Sequence, residues 1–234
     1  MFACGCYSPS PLEGLACSET DRCPAGQSCD PAFGECVSFP RCVPGSIVDG
    51  FDAVVPAVDA CQPWGVVFGT ADVEVRDGAL TITPTSIPGS YGGCDSDINH
   101  PTPFGDRGIF VEVPTLMPTG HNLASFSLDG GQVRASLSTL QGRLRLTDVT
   151  TEVVASAPYD PVAMRWWRLR PDRKAERTIA EYAADGYHWS RLGEADGRPE
   201  SVIIELAAGL DQNAVLDGVP AVTRFDHLDV CPPR

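Results

Sequence analysis

Basic residues and long apolar runs are both scarce in this chain. Its 234 residues include 17 lysines and arginines against 31 aspartates and glutamates, a formal net charge of −14. Phosphate groups would be repelled by this charge, which disfavours nucleic acid and anionic membrane surfaces as partners. The longest apolar run, residues 201–209, is far shorter than the roughly 20 residues that a membrane span needs. Any membrane attachment would therefore be through a lipid.

Helical periodicity is hard to find after Cys42. Strand-length apolar runs alternate instead with Gly, Pro and Asp turns, and the spacing predicts roughly a dozen or more short strands. Hairpin signals occur at Asp77-Gly78, Asp129-Gly130-Gly131 and Asp185-Gly186, because glycine can adopt the positive φ of tight turns. We therefore predict an all-β fold, a two-sheet antiparallel jelly-roll sandwich, over residues 43–234.

Cysteine is concentrated at the start of the chain, with seven of the ten cysteines in the first 42 residues. A segment so poor in aliphatic residues cannot fold without covalent links, so residues 1–42 are predicted to form a small disulfide-rich module. Its Cys-Pro-x-Gly-x-x-Cys run resembles short epidermal-growth-factor-like modules. That resemblance favours Cys17 with Cys29 and Cys23 with Cys36, among the three connectivities that four cysteines allow. A zinc site is the alternative, although the segment has no CxxC pair and no histidine.

The first six residues, Met-Phe-Ala-Cys-Gly-Cys, resemble the end of a bacterial lipoprotein signal, with Cys6 as the acylated residue. A Cys4–Cys6 bridge or two surface thiols is the alternative. The single lysine, Lys174, against sixteen arginines is typical of a GC-rich bacterial genome. So many cysteines favour an oxidising compartment. We therefore expect an extracytoplasmic protein, either an outer-surface lipoprotein or a secreted one.

The most informative segment runs from Arg165 to Leu192. It contains Arg-Trp-Trp-Arg-Leu-Arg, a charged turn, and then two aromatic-rich strands around Asp185-Gly186. The segment resembles the signature meander of concanavalin A-like lectin/glucanase sandwiches, laminin-G-like modules included. The resemblance implies the sandwich fold but does not choose among sugar binders, glycan hydrolases and adhesion modules.

Strand alternation divides the aromatic and basic residues of this segment between two faces. Trp167 and Leu169 share one face, and Trp166, Arg168 and Arg170 share the other. An exposed Trp166 between arginines would suit a sugar ring, so these three residues are the predicted ligand-binding site. The structural alternative is that Trp166 lies under Arg168 in a cation–π contact. Tyr182, Tyr187 and Trp189 are expected to be core aromatics, as in the resembling families.

The ends of the sandwich carry two further predictions. The first and last strands of such sandwiches usually pair, which favours Cys42 with Cys231 and Cys61 with Cys94, and places Phe51 and Phe225 inward. Related sandwiches often hold a structural calcium near their chain ends. The acidic residues available to bind one here are Asp49, Asp52, Asp226 and Asp229.

Two further acidic patterns resemble a calcium loop and a catalytic pair, and both have simpler interpretations. Asp95, Asp97 and Asn99 alternate like calcium-loop ligands, but His100 stands where such a loop needs glycine, so we expect a solvated loop. Glu194 and Glu200 are the nearest match to a glucanase carboxylate pair. An extended strand would hold them roughly 20 Å apart, too far for retaining hydrolysis.

The sequence has no Gly-x-Ser-x-Gly, His-Glu-x-x-His or phosphate loop, so no catalytic residue is assigned and a non-catalytic protein is favoured. The leading hypothesis is a surface or secreted protein that recognises a glycan through the aromatic and arginine face. A glucanase-type hydrolase is the first alternative. A structural or adhesive module that binds a protein is the second. Oligomeric state is not predicted.

Overall fold

The computed structural model describes residues 15–17, 23–25, 27–30, 35–37, 47–53, 55–99, 101–104, 108–116, 122–172, 175–186, 188–211 and 222–230. Within these ranges the chain is built from nineteen β-strands and one short 3-10 turn over Ala57–Asp59. Among the described residues, no helix is long and apolar enough to cross a membrane. The all-β prediction is therefore confirmed.

The described part of the N-terminal module is a small sheet held by two disulfides. Its strands lie in the order β1-β3-β2. Cys17 is bonded to Cys29 and Cys23 to Cys36, with Cα–Cα distances of 5.8 and 5.4 Å, which is the favoured pairing. Each link typically contributes about 2–4 kcal/mol to stability. Cys4, Cys6 and residues 38–46 lie outside the described residues, so the acylation of Cys6 and the boundary after residue 42 stay predictions. The strands are β1 (Leu15–Ala16), β2 (Ser28–Asp30) and β3 (Glu35–Val37).

The rest of the chain forms two antiparallel sheets. Sheet I has the order β17-β16-β15-β10-β19-β7-β6, with β4 also paired to β19. Its strands are β4 (Ile47–Asp49), β6 (Asp72–Val75), β7 (Leu80–Thr83), β10 (Ile109–Leu116), β15 (Trp166–Asp172), β16 (Arg177–Ala183), β17 (Ser190–Asp196) and β19 (Thr223–Val230).

Sheet II has the order β14-β13-β12-β11-β18-β8-β5, with β9 also paired to β18. Its strands are β5 (Gly65–Gly69), β8 (Tyr91–Ser96), β9 (Thr102–Pro103), β11 (Asn122–Asp129), β12 (Arg134–Leu140), β13 (Arg143–Thr147), β14 (Val153–Pro158) and β18 (Ser201–Leu210). Strands distant in sequence are neighbours in both sheets, as in the predicted sandwich.

Tight turns set the register of the hairpins. Asp77 and Gly78 both have positive φ, 52° and 69°, as the two central residues of a type I′ hairpin turn require. Gln141 and Gly142 repeat the same geometry, with φ of 52° and 69°, between β12 and β13. The second turn was not predicted, because glutamine is a weak signal for a left-handed conformation.

The core lies between the inner faces of the two sheets. On β18 the alternating residues Val202, Ile204 and Leu206 are fully buried. Trp167 and Leu169 of sheet I are buried in the same cluster, as their alternation predicted, and the Trp167 indole N–H donates to the Met164 carbonyl oxygen at 2.8 Å. Burial of one such side chain contributes roughly 1.5–3 kcal/mol. The outer faces of both sheets are thus left to residues with other roles.

The terminal strands meet in sheet I, where Leu228 of β19 is the Cα partner of Asp49 of β4. Phe51 and Phe225 pack inward with exposures of 1% and 0%, as expected. Cys61 and Cys94 form the expected disulfide in the core, with a Cα–Cα distance of 5.6 Å. The other expected pair, Cys42 and Cys231, lies outside the described residues.

Candidate functional site

The residues predicted to bind a ligand lie on the outer face of sheet I, and that face is largely closed. Trp166 is 7% exposed and Arg168 is 3% exposed. Phe110, Ala183 and Trp189 pack with Trp166 in a second apolar cluster. The expectation of an exposed tryptophan is therefore wrong. The physical reason is that β15 is an interior strand, and neighbouring strands and the turn before β17 supply side chains that cover it.

The two arginines of this strand are bound to one carboxylate. Arg168 Nε donates to Glu181 Oε2 at 2.7 Å, and Arg170 donates to both oxygens of Glu181 at 3.0 Å. The Arg168 guanidinium also stacks 4.1 Å from the Trp189 ring centroid. Arg168 thus makes a cation–π contact with Trp189, whereas the structural alternative named Trp166. These contacts give Trp166, Arg168 and Arg170 a structural role rather than the predicted sugar platform.

A second cluster on sheet I contains Glu112, Asp226 and His227, whose ligand atoms lie within 4.8 Å of one another. Two register shifts in the β10–β19 pairing flank Asp226, and His227 has a positive φ of 48°. Bulges of this kind re-aim side chains, and here they bring the three groups together. Burial raises the pKa of Asp226; His227 opposes this increase and the Glu112 carboxylate adds to it. Arg165 forms an ion pair with Glu112.

The four aspartates predicted to bind calcium are not brought together in the described residues. Only Asp226 lies in a group of three ligand-type side chains there. Asp49 instead accepts hydrogen bonds from the Phe51 N–H at 2.7 Å and the Trp64 indole at 3.0 Å, and Asp229 is buried. The Glu112 cluster includes an imidazole, which suits a transition metal better than calcium. The four aspartates therefore do not form one cluster in the described residues, and a calcium ion near the chain ends stays a prediction.

The outer face of sheet II carries a line of polar residues that we call the polar row. It consists of aligned Cα partners on four adjacent strands: Ser136, Ser127, Glu205 and Asp95. Val66 of the edge strand β5 continues the line beyond Asp95. At about 4.8 Å per strand, the five positions span roughly 19 Å. Ser127 and Ser136 are buried, with exposures of 1% and 7%, whereas Glu205 and Asp95 are part-buried and reach the surface.

Glu205 is the best-connected residue of the polar row. Its Oε1 accepts hydrogen bonds from the Tyr91 hydroxyl at 2.6 Å and the Ser127 hydroxyl at 3.4 Å. Its Oε2 lies 3.7 Å from Arg134 Nη2. Ser127 and Ser136 are linked at 2.7 Å. These contacts hold the Glu205 carboxylate in one orientation on the surface of the sheet.

Tyr91 reaches Glu205 because small residues leave space for its ring. Its Cα partner on β18 is Gly209, where an added Cβ would lie 2.8 Å from the ring atom Cδ2. Ala207, the next outward-facing residue of β18, is fully buried. Burial, with a smaller contribution from the Glu205 carboxylate, raises the pKa of the Tyr91 hydroxyl well above its ordinary value. The hydroxyl therefore stays protonated and acts as a donor to Glu205.

Asp95 is the Cα partner of Glu205 on the neighbouring strand. Burial, reinforced by the negative charge of Glu205, raises its pKa to about 6, while Arg134 lowers it and Asp129 adds a further increase. Side chains at such directly opposed positions have Cβ atoms about 4.5–5.5 Å apart. The sheet thus holds two carboxyl groups side by side, one of which changes charge near pH 6.

A cavity of about 400 Å³ opens beside Asp95 at the edge of sheet II. Its walls include Trp64, Val66, Ile98 and Ile203, and Asp97 joins Asp95 on its polar side. The Trp64 indole is fixed by its hydrogen bond to Asp49. Asp97 accepts bonds from the backbone and side chain of Asn99, at 2.8 and 3.0 Å. These bonds form the turn that was predicted to be solvated. His100 of the calcium-loop alternative lies outside the described residues.

Sequence reasoning missed most of this site. The available signal was Glu205, the only charged residue in the otherwise apolar run 201–209. Its partner Asp95 was considered only as a calcium-loop ligand. The expected core role of Tyr182 and Trp189 is partly correct, since both are part-buried against apolar clusters. Tyr187 lies outside the described residues.

Comparisons with known proteins show a shared fold. No protein-family model matches the chain, and no curated protein matches it. Among solved structures it is similar to a mutant of the GH43 protein BlXynB from Bacillus licheniformis (11% identity, TM-score 0.51), covering 76% of this chain and 37% of that one. It is similar to lectin I-B4 from Griffonia simplicifolia in its metal-free form (14% identity, TM-score 0.43), covering 68% of this chain and 92% of that one. It is also similar to LamAcat from Zobellia galactanivorans (10% identity, TM-score 0.47), covering 77% of this chain and 94% of that one. The match to the GH43 protein thus shows a shared fold over 76% of this chain.

Proposed function

We propose that this protein binds a glycan on the outer face of sheet II, through the two carboxylates of the polar row and the cavity beside them. The observation that carries the proposal is the alignment of Glu205 and Asp95 on adjacent strands next to an aromatic-walled cavity. Carboxylate oxygens accept hydrogen bonds from sugar hydroxyls, and the Trp64 ring offers an apolar surface to sugar C–H groups. Ser127 and Ser136 are buried and support the Glu205 carboxylate. The fold is shared with a GH43 protein, which makes a glycan the first ligand class to test.

An extracytoplasmic location agrees with this function. The described residues contain three disulfides, which persist in oxidising compartments and are rare in the cytosol. A surface or secreted protein would meet extended glycans there. Anchoring by a lipid on Cys6 is part of the proposal and rests on the sequence alone.

Glycan hydrolysis is a second candidate, favoured by the side-by-side arrangement of Asp95 and Glu205. Retaining glycosidases hold two carboxyl groups about 5–5.5 Å apart, one acting as acid and one as nucleophile. Burial raises the pKa of Asp95 to about 6, in the range of a general acid, while Tyr91, Ser127 and Arg134 orient Glu205. The pair here comes from two strands rather than from one, unlike the glucanase motif sought in the sequence.

The first experiment is a glycan-array screen of the full chain, followed by calorimetric titration of the glycans that bind. We expect Glu205→Gln to weaken binding about tenfold, the typical cost of 1.4 kcal/mol for losing a charged hydrogen-bond acceptor. Glu74→Gln, on the outer side of β6 where Glu74 pairs with Arg76 at 3.1 Å, is the matched control. A blank array, or equal affinity in wild type and Glu205→Gln, would overturn the proposal.

The same glycans separate binding from hydrolysis. Each ligand is incubated with the protein, and new reducing ends are measured by mass spectrometry. Hydrolysis that disappears in Asp95→Asn while binding remains would identify an enzyme. Unchanged oligosaccharides after long incubation would identify a binding protein.

A further inference from the structure

The cavity beside Asp95 has an unbalanced charge. Glu205 and Asp129 both act on Asp95 electrostatically, and Arg134 is the guanidinium that opposes them. Arg134 lies 3.7 Å from Glu205 and is also the Cα partner of Asp129, so its charge is shared. Within the described residues, no lysine, arginine or histidine forms an ion pair with Asp95. The site therefore presents more negative charge than its own cation neutralises.

The protonation of Asp95 reflects this imbalance. Burial, and then the charge of Glu205, raise its pKa to about 6. Burial and a nearby negative charge both disfavour the ionised form of a carboxyl group. Any cation that enters its surroundings stabilises that ionised form. The neighbouring strands account for the raised pKa of Asp95, because β5 places the uncharged Val66 opposite it and β18 places Glu205 on the other side.

The cavity walls indicate what kind of cation fits. About 400 Å³ lies within the range of small-molecule pockets and far exceeds the volume of a metal ion. Trp64, Val66, Ile98 and Ile203 supply aromatic and aliphatic surface, and among the described residues no group of three metal-ligating side chains includes Asp95. An organic cation with an apolar face meets both requirements. Trp64 could also attract it through a cation–π contact.

We propose that the glycan bound at this site carries free ammonium groups, as glucosamine oligosaccharides do, with the ammonium between Asp95 and Glu205 and the ring against Trp64. This inference rests on the proposed glycan-binding function and narrows its ligand class. Neutral N-acetylated sugars would lack the charge interaction. The negative charge of Asp95 and Glu205 would repel uronic acids and sulfated sugars.

The proposal has a definite pH dependence. Asp95 loses its charge as pH falls through about 6, which weakens its interaction with an ammonium group between pH 7 and pH 5. The amino groups of glucosamine gain protons over the same range, so the contribution of Asp95 is measured as the ratio of the affinities of wild type and Asp95→Asn at each pH. The charged groups facing Asp95 are Glu205 on β18, Asp129 on β11 and Arg134 on β12. Affinity for a neutral oligosaccharide depends less on this ionisation. Added salt should weaken binding of the cationic ligand and leave binding of the neutral ligand unchanged.

The test is calorimetric titration of the full chain with the glucosamine tetramer and, as the matched neutral ligand, the N-acetylglucosamine tetramer. We expect the glucosamine tetramer to bind about tenfold more tightly at pH 7, and the ratio of its affinities for wild type and Asp95→Asn to fall toward one at pH 5. Asp95→Asn should remove the preference, and Glu74→Gln should retain it. Thermal unfolding of each variant shows that the fold is intact. Asp97→Asn, at the exposed side of the cavity, should reduce the preference by a smaller factor.

The outcomes are distinguishable from failure of the proposed function. Equal or tighter binding of the neutral tetramer would overturn the ammonium proposal while leaving glycan binding intact. A preference that survives in Asp95→Asn would place the ammonium elsewhere and would also overturn it. A protein that binds neither tetramer and no arrayed glycan would contradict both proposals.

Discussion

The outer faces of the two sheets use similar residues in different proportions. On sheet I, Glu181 is bound by two arginines, and Trp166 and Trp189 cover the group. On sheet II, Asp95 and Glu205 share one arginine and lie beside a cavity walled by Trp64. Carboxylate, guanidinium and indole occur on both faces. On sheet I two guanidiniums hold one carboxylate in a structural network, whereas on sheet II two carboxylates share one guanidinium and keep an excess of negative charge.

The largest expected effect comes from breaking the network on sheet I. Glu181→Gln would remove the carboxylate charge that the buried Arg168 guanidinium contacts, and Arg168 is only 3% exposed. Removal of one partner of a buried ion pair typically costs about 3–5 kcal/mol. We expect a loss of this size in the free energy of unfolding, measured by denaturant titration. Glu74→Gln, at an exposed pair, should change it by less than about 0.5 kcal/mol. A similarly small loss in Glu181→Gln would mean that the network contributes little.

The corresponding substitution on sheet II should affect binding much more than stability. Glu205→Gln keeps the shape of the side chain and its contact with the Tyr91 hydroxyl, but removes the charge. We expect about tenfold weaker glycan binding, with a change in unfolding free energy of about 1 kcal/mol or less. Titration and denaturation of the same sample measure both. A larger effect on stability than on affinity would place Glu205 in the same structural class as Glu181.

The titration of Asp95 should change the free energy of unfolding with pH by a smaller amount, in the direction that its raised pKa determines. Because burial raises its folded pKa to about 6 from an ordinary 3.8, folding favours the protonated form. This contribution to stability is present at pH 4 and is lost as pH rises through 6. Asp95 is part-buried, so solvent screening reduces the effect to about 1 kcal/mol. Asp95→Asn should therefore gain stability relative to wild type between pH 4 and pH 7 in parallel denaturant titrations; a difference that does not vary with pH would contradict this.

The smallest effect is expected at Arg134, whose side chain is 36% exposed and 3.7 Å from Glu205. Pairs of this kind contribute about 0–1 kcal/mol, so Arg134→Gln should change stability by less than about 0.5 kcal/mol. Removing this positive charge should raise affinity for the glucosamine tetramer about two- to threefold and leave the neutral tetramer unaffected. Weaker binding of the cationic tetramer in this variant would indicate that Arg134 contacts the ligand directly.

The fold was predictable from local signals, and the site was not. Alternation placed Trp167 and Leu169 inward, and Asp77-Gly78 specified a hairpin, because both depend on residues close together in the chain. The exposure of Trp166 depends on Phe110 and Trp189, which belong to other parts of the sheet. Tyr91 and Glu205 are 114 residues apart. Their meeting requires the register of two distant strands, and a single sequence contains no direct signal of that register.

The disulfide between Cys61 and Cys94 also determines how the chain responds to mechanical force. The two cysteines are 33 residues apart, and β5, β6 and β7 lie in the loop that they close. When tension is applied along the backbone, it passes from Cys61 to Cys94 through the sulfur atoms. About 110 Å of contour length, at 3.3–3.6 Å per residue, therefore cannot be extended. The edge strand β5, which supplies Val66 to the cavity wall, bears no load while the bond is intact.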